Sequence, residues 1–168
     1  ALRTFANTVL KADPPNHGDS FRVDLGNREC ILRLYFIDCP ETSADSKTDA
    51  RRVREQLRYF GVGANQLVDY GRKAKEFTAR ALTEPFTVYT AFASAGGRSE
   101  EPRYYAFVTT EGGKDLGSQL IECGLARSHG LGRETPGKVK RQDARAHLDD
   151  LEAAAMMKHA GIWAHTDA

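Results

Sequence analysis

Asp38 and Glu41 follow directly on a short apolar run, Asp19 sits in the turn before another, and Arg33 and Arg103 each stand on a strand-like segment. In RLYFIDCPET, Arg33 to Thr42, the residues from Leu34 to Ile37 suit a buried strand and then give way to Asp38, Cys39, Pro40 and Glu41. Carboxylates delivered from different strand ends, with backbone carbonyls close by, suit a hard cation that takes oxygen ligands. Calcium accepts an irregular, partly hydrated shell of this kind. An arginine on the same strand as Asp38, pointed into the interior of a small barrel, would need an anion to meet it. Two guanidinium forks and a cation are the parts that phosphodiester cleavage requires, because the pentacoordinate phosphorane gathers negative charge on its equatorial oxygens and arginine matches that charge bidentately. Glu41 is left to position or deprotonate the attacking water.

The elements that must position these residues can be read from periodicity. TFANTVLKAD reads as a first strand, FRVDLG as a half-buried second strand with period-two alternation, and ECILRLYFID as the strand returning after a GNR turn. PFTVYTAFA and RYYAFVTT read as two more strands. TDARRVREQLRYFG is helical, with Val53, Leu57 and Phe60 on one face and four arginines on the others. A second helix is expected in QLVDYGRKAKEFTARAL with Ala74, Phe77 and Leu82 inward, and a short one in GGKDLGSQLIECG closed by Gly124. The last, in RQDARAHLDDLEAAAMMKHAG, carries Ala144, Leu148, Leu151 and Ala155 on one stripe. CPETSADSK, GGRSEEP and the Gly-rich HGLGRETPGKVK are expected as loops. Hairpin-linked strands followed by helices argue for an α+β class, and five short strands fit a five-stranded Greek-key barrel of OB-fold type with three to four helices.

Composition narrows the classes. The chain has 168 residues, 40% hydrophobic and 28% charged, which suits one domain over 1–168 with a helical insertion near 43–63. No run approaches the apolar length of a membrane span. A net charge of +1 makes any basic binding surface a local one. The three cysteines, Cys30, Cys39 and Cys123, argue against a disulfide scaffold, and none has zinc spacing. A thiol nucleophile at Cys39 lacks a patterned histidine partner. Trp163 is a core anchor for the C-terminal tail.

GDSFRVDLGNRECILRLYFIDCPET resembles the GDT, strand, R-x-x-x-x-D-x-P-E-T pattern of the staphylococcal nuclease (thermonuclease-like) family. RYYAFV, LIECGLAR and AGIW resemble that family's later motifs in the same order, so that the resemblance spans roughly residues 5–164. It implies that Asp19 and Asp38 are calcium-binding carboxylates and that Cys39 completes the shell through its backbone carbonyl. It further implies that Glu41 acts as general base or water-orienter and that Arg33 and Arg103 bind phosphate. The implied activity is endo- or exonucleolytic hydrolysis of DNA or RNA, single-stranded or frayed, cleaving the 5′-O–P bond to leave 3′-phosphate ends.

Three departures accompany the resemblance. His17 stands where the family commonly has an acidic residue two places before the metal aspartate, which predicts weaker calcium binding. Gly130 and Gly132 stand at the places of the family's base-stacking tyrosines, so stacking either comes from elsewhere, Tyr104 or His129 being the candidates, or is weaker. The segment after Glu41 is longer and holds the arginine-rich helix, whose Arg51, Arg52, Arg54 and Arg58 read as a solvated face ahead of a binding patch. The alternative function is a non-catalytic nuclease-like module that binds nucleic acid or a protein partner. A plain OB-type single-strand binder would draw on Tyr35, Phe36, Tyr104 and Tyr105 for stacking. Expectations for assembly and setting are a monomer, without membrane association, secreted or periplasmic.

Overall fold

The computed structural model describes residues 1–45, 49–96 and 101–167. Five strands close a mixed barrel: β1 (Arg3–Leu10), β2 (Ser20–Asp24), β3 (Glu29–Leu34), β5 (Phe86–Ser94) and β6 (Arg103–Thr109), in the order β1-β2-β3-β6-β5. All neighbours are antiparallel except β3 and β6, which run parallel. Two short strands, β4 (Ile37–Asp38) and β7 (Arg127–Ser128), pair outside the barrel. Four helices complete the fold: α1 (Ala50–Phe60), α2 (Ala64–Ala81), α3 (Leu116–Glu122) and α4 (Arg141–Met157), with a 3-10 turn at Gly161–His165. The α+β class and the five-stranded OB-type barrel expected above are what the chain adopts. The loops expected over 39–47 and 96–102, and the first residue of the helical reading that starts at 48, fall partly outside the described residues.

The returning strand does not run unbroken from Glu29 to Asp38. It breaks at Tyr35–Phe36, where Phe36 takes φ +70°, a left-handed conformation uncommon for an aromatic residue. The break is tied at both ends. Phe36 donates its N–H to the Leu131 carbonyl at 2.8 Å and accepts from His129 N at 2.7 Å. The turn re-aims the chain, so that Ile37–Asp38 pair with Arg127–Ser128 rather than extending the barrel.

Period two decides where Arg33 lies. Cys30, Leu32 and Leu34 alternate into the buried core with Phe21, Val23, Val88 and Val108, so Arg33 falls on the opposite face. The expectation of an arginine directed into the barrel interior is therefore corrected. On that outer face the β3–β6 register sets Arg33 beside Tyr105, with Arg103 two residues along, and the β2–β3 register sets Ser20 beside Arg33.

Helix α1 is fixed at both ends. Asp49 caps it by accepting Arg51 N at 3.0 Å, and Gly61 ends it at φ +68°. Val53 and Phe60 are buried as their spacing predicts, whereas Leu57 is only partly covered and the uncharged polar Gln56 is fully buried. The C-terminal tail clamps the far end of the helix. Trp163 packs on Phe60 with ring centres 5.1 Å apart, Thr166 Oγ1 donates to the Phe60 carbonyl at 2.8 Å, and Asp167 N donates to the Gly61 carbonyl at 2.8 Å. Trp163 thus anchors the tail as expected. In α2, Ala74 is buried, as is Leu82 just past its C-terminus, and Phe77 is partly covered, while Leu67 and Tyr70 complete the face.

Helix α2 touches the site through Gly71. A Cβ at that position would overlap the Glu41 carbonyl oxygen and lie 2.7 Å from that of Pro40. Alanine is the better helix former by about 1 kcal/mol, yet here it must push the Pro40–Glu41 segment away. Gly71→Ala is expected to destabilise the chain by roughly 1–3 kcal/mol, the range for overpacking. Urea denaturation measures this, and a stability equal to or above the parent's would show that the segment yields freely.

Candidate active site

A cleft of about 470 Å³ opens beside the barrel. Its lining includes Asp19, Arg33, Cys39, Glu41 and Arg103, five of the six residues singled out from the sequence, together with Arg52, Tyr105 and His129. The sixth, Asp38, is fully buried beneath it.

Asp38 is the centre of the charge arrangement. Its Oδ1 accepts from Arg33 Nη2 at 3.2 Å and from Arg52 Nη2. Its Oδ2 accepts from Gln56 Nε2 at 3.0 Å and from Arg127 Nε at 2.9 Å. Burial alone would push this carboxyl up, but Arg52, Arg33 and Arg127 outweigh it and hold the group down at about 2. The remaining carboxylates each take one of the same guanidiniums. Asp19 meets Arg33 Nη1 at 3.1 Å, Glu41 meets Arg52 Nε, and Glu55 meets Arg127 Nη1 at 2.7 Å.

Two of these partners were not singled out by sequence reasoning. Gln56 is a hub: besides Asp38 it donates to the Cys39 carbonyl at 3.0 Å and accepts from Glu41 N at 2.9 Å, so one amide orients three consecutive site segments. Arg127 is almost wholly buried, with its guanidinium 4.6 Å from the Tyr59 ring centre. The signal for Arg127 was its place at the end of LIECGLAR; for Gln56 it was a polar residue one position from the apolar stripe of an amphipathic helix. Arg52 also leaves the set of exposed helix arginines, whereas Arg51, Arg54 and Arg58 remain exposed.

Arg103 differs from the other site arginines. Its recorded hydrogen bond is to Ser20 Oγ at 3.2 Å, and among the described residues it has no carboxylate partner. Burial and the neighbouring Arg33 lower its proton affinity. Arg103 therefore offers the cleft a guanidinium whose donors are not engaged by a carboxylate among the described residues, a group chemically suited to meet an anion.

A side chain at Gly132 would overlap the Phe36 ring, which fills that space, while Gly130 lines the cleft with open space beyond it but takes φ +95°, a conformation that favours glycine. Tyr104 lies away from the cleft, packed on Phe92 with ring centres 5.1 Å apart and against the Arg28 guanidinium. The aromatic residue in the cleft is Tyr105, backed by Tyr35 at 5.0 Å in a stacked arrangement, with the exposed His129 near it. Cys39 is buried, and burial, then Asp19 and Asp38, push its thiol well above the ordinary range, which removes it as a nucleophile. All three cysteines are free.

The oxygen donors expected for calcium can be tested on this geometry. One guanidinium, that of Arg33, spans Asp19 and Asp38 and brings both carboxylates to the same end of the cleft. The Cys39 N–H donates to Asp19 Oδ2 at 2.7 Å, which ties the third donor's residue to the same point. Hard oxygens from two carboxylates and a carbonyl fit calcium chemically. Among the described residues no set of three His, Cys, Asp or Glu side chains is grouped to hold a metal, and the facing oxygens are engaged by arginines and Gln56.

No helix among the described residues is long and apolar enough to cross a membrane. No curated protein matches the chain. A family model, that of the Staphylococcal nuclease homologue family, matches residues 31–165, which takes in Arg33, Asp38, Cys39, Glu41 and Arg103 and begins after Asp19. With that match over most of its length and the OB-type barrel beneath it, the chain belongs to the staphylococcal nuclease homologue family.

Proposed function

We propose that the chain is a calcium-dependent phosphodiesterase acting on DNA or RNA, cleaving the 5′-O–P bond to leave 3′-phosphate ends. The single observation that carries this reading is the cleft itself, in which Arg33, Arg103 and Arg52 stand beside Glu41 and Asp19. Arg103 receives one phosphate oxygen pair, being the guanidinium without a carboxylate. Arg33, on the same face two residues along the register, meets the other equatorial oxygen as charge develops. Glu41 orients the attacking water or takes its proton. Gln56 holds the Glu41 backbone and the Cys39 carbonyl in place while Arg127 braces Asp38 from below. Tyr105, stiffened by Tyr35, offers the face on which an unpaired base stacks, a preference for single-stranded or frayed substrate.

Calcium, the family's typical metal, would be held by Asp19, Asp38 and the Cys39 carbonyl, where it would supply positive charge beside the scissile phosphate. The test is a degradation assay on plasmid DNA, single-stranded DNA and RNA with calcium, magnesium or EDTA in parallel. Cleavage is expected with calcium, little with magnesium alone and none in EDTA, with 3′-phosphate termini in the products. Undiminished cleavage in EDTA would remove the metal from this reading. Nucleic-acid binding without cleavage under every condition would favour the non-catalytic module.

A further inference from the structure

We infer that Arg52 is an intramolecular counter-cation that closes the site at rest, and that a divalent cation must displace it to bind. The inference rests on the reading of the cleft as a metal-assisted phosphodiester site. Arg52 bridges Asp38 Oδ1 and Glu41 Oε1, so one guanidinium engages both the buried carboxylate expected to hold a metal and the carboxylate expected to handle water. Arg33, Arg52 and Arg127 already crowd Asp38, so a divalent cation added there would meet repulsion from all three guanidiniums, and that repulsion falls when one of them leaves.

Of the three arginines on Asp38, Arg52 is the one free to leave. Arg127 is almost wholly buried and is held bidentately by Glu55. Arg33 is seated in the barrel wall with a side chain 17% exposed and braced by Asp19, whereas the Arg52 side chain is 35% exposed and projects from the first turn of α1. Counting the groups gives the same answer. With Arg103, which lines the same cleft, the four carboxylates Asp19, Asp38, Glu41 and Glu55 meet four guanidiniums, so the charges balance with Arg52 in place and leave one excess negative charge when it swings out. The open network favours an added cation and the closed one does not. Arg52 lines the cleft at rest, so a substrate phosphate entering the cleft lies within reach of its guanidinium once the carboxylates release it. The closed state also withholds Glu41 until the cation arrives, which couples metal loading to readiness of the water-handling group.

The test is metal affinity rather than turnover. Terbium(III) luminescence is titrated on the full chain, calcium is then used to displace the terbium, and Arg52→Gln and Arg52→Lys are compared with the parent. Arg52→Gln is expected to bind calcium at least tenfold more tightly, with Arg52→Lys closer to the parent, and adding Asp19→Asn should weaken binding by Arg52→Gln, as expected if the ion sits between Asp19 and Asp38. Equal or weaker calcium binding by Arg52→Gln overturns the inference, as does tight binding by Arg52→Gln that Asp19→Asn leaves unchanged. If Arg52→Gln gains affinity and neither protein cleaves nucleic acid, the closure stands and the proposed hydrolysis fails. If the parent cleaves with calcium and Arg52→Gln gains nothing, the hydrolysis stands and the closure fails.

Discussion

Arg103→Ala is expected to lower phosphodiester turnover by about two orders of magnitude or more and to leave the fold nearly untouched; Arg33→Ala is expected to lower turnover as far and also to destabilise the chain. The common part follows from what each guanidinium would do to a phosphate in the transition state, where removal of a preorganised donor costs roughly 10²–10³ in rate. The difference follows from their partners at rest. Arg103 gives up only a hydrogen bond to Ser20 Oγ. Arg33 separates Asp19 from Asp38, so its loss leaves two carboxylates facing one another with one positive charge fewer between them. Lysine at either position should not restore the parent rate, because a single ammonium cannot reproduce a planar fork. The measurement is kcat and KM on a defined oligonucleotide beside a urea melt of each variant. An Arg103→Lys variant with parental kcat would remove the bidentate role.

How far this site could be read from the sequence depends on whether a residue acts through its own motif or through contacts made by folding. Asp19, Arg33, Glu41 and Arg103 were legible from their places at strand ends and turns, Cys39 only through the family resemblance, and all five line one cleft. Gln56 and Arg127 were not, since each matters through partners 15 to 89 positions away in the chain. The same holds for Arg52. Four arginines on one amphipathic helix look alike in sequence, and only the placement of α1 against the Pro40–Glu41 segment decides which one enters the site. Strand alternation placed the barrel residues well, but it carried the returning strand through Tyr35–Phe36, because apolar aromatics do not advertise a positive φ. That break is held by His129 and Leu131, which a local reading cannot see.

The largest effect on stability is expected at Asp38. Its side chain is fully buried and receives three guanidiniums and one amide, so Asp38→Asn removes the charge on which Arg33, Arg52 and Arg127 converge and turns an NH₂ group toward at least one of them. Breaking a buried ion pair from one side costs about 3–5 kcal/mol, and this substitution should fall in that range because Asp19, Glu41 and Glu55 still partner each arginine singly. The pH dependence gives an independent check on the cause. The folded chain holds Asp38 at about 2 against an ordinary 3.8. A depressed carboxyl contributes stability that is fully present above its unfolded value and is lost as pH falls through its folded value. At about 1.36 kcal/mol for each factor of ten in proton affinity, that contribution is about 2 kcal/mol. The stability gap between parent and Asp38→Asn should therefore be constant above about pH 5 and narrow by about 2 kcal/mol on acidification toward pH 2. Urea melts of the two proteins at pH 6, 4 and 2.5 measure it. A gap that stays constant across this range would mean that Asp38 contributes by shape and hydrogen bonding rather than by charge, and the three arginines would then owe their positions to Asp19, Glu41 and Glu55.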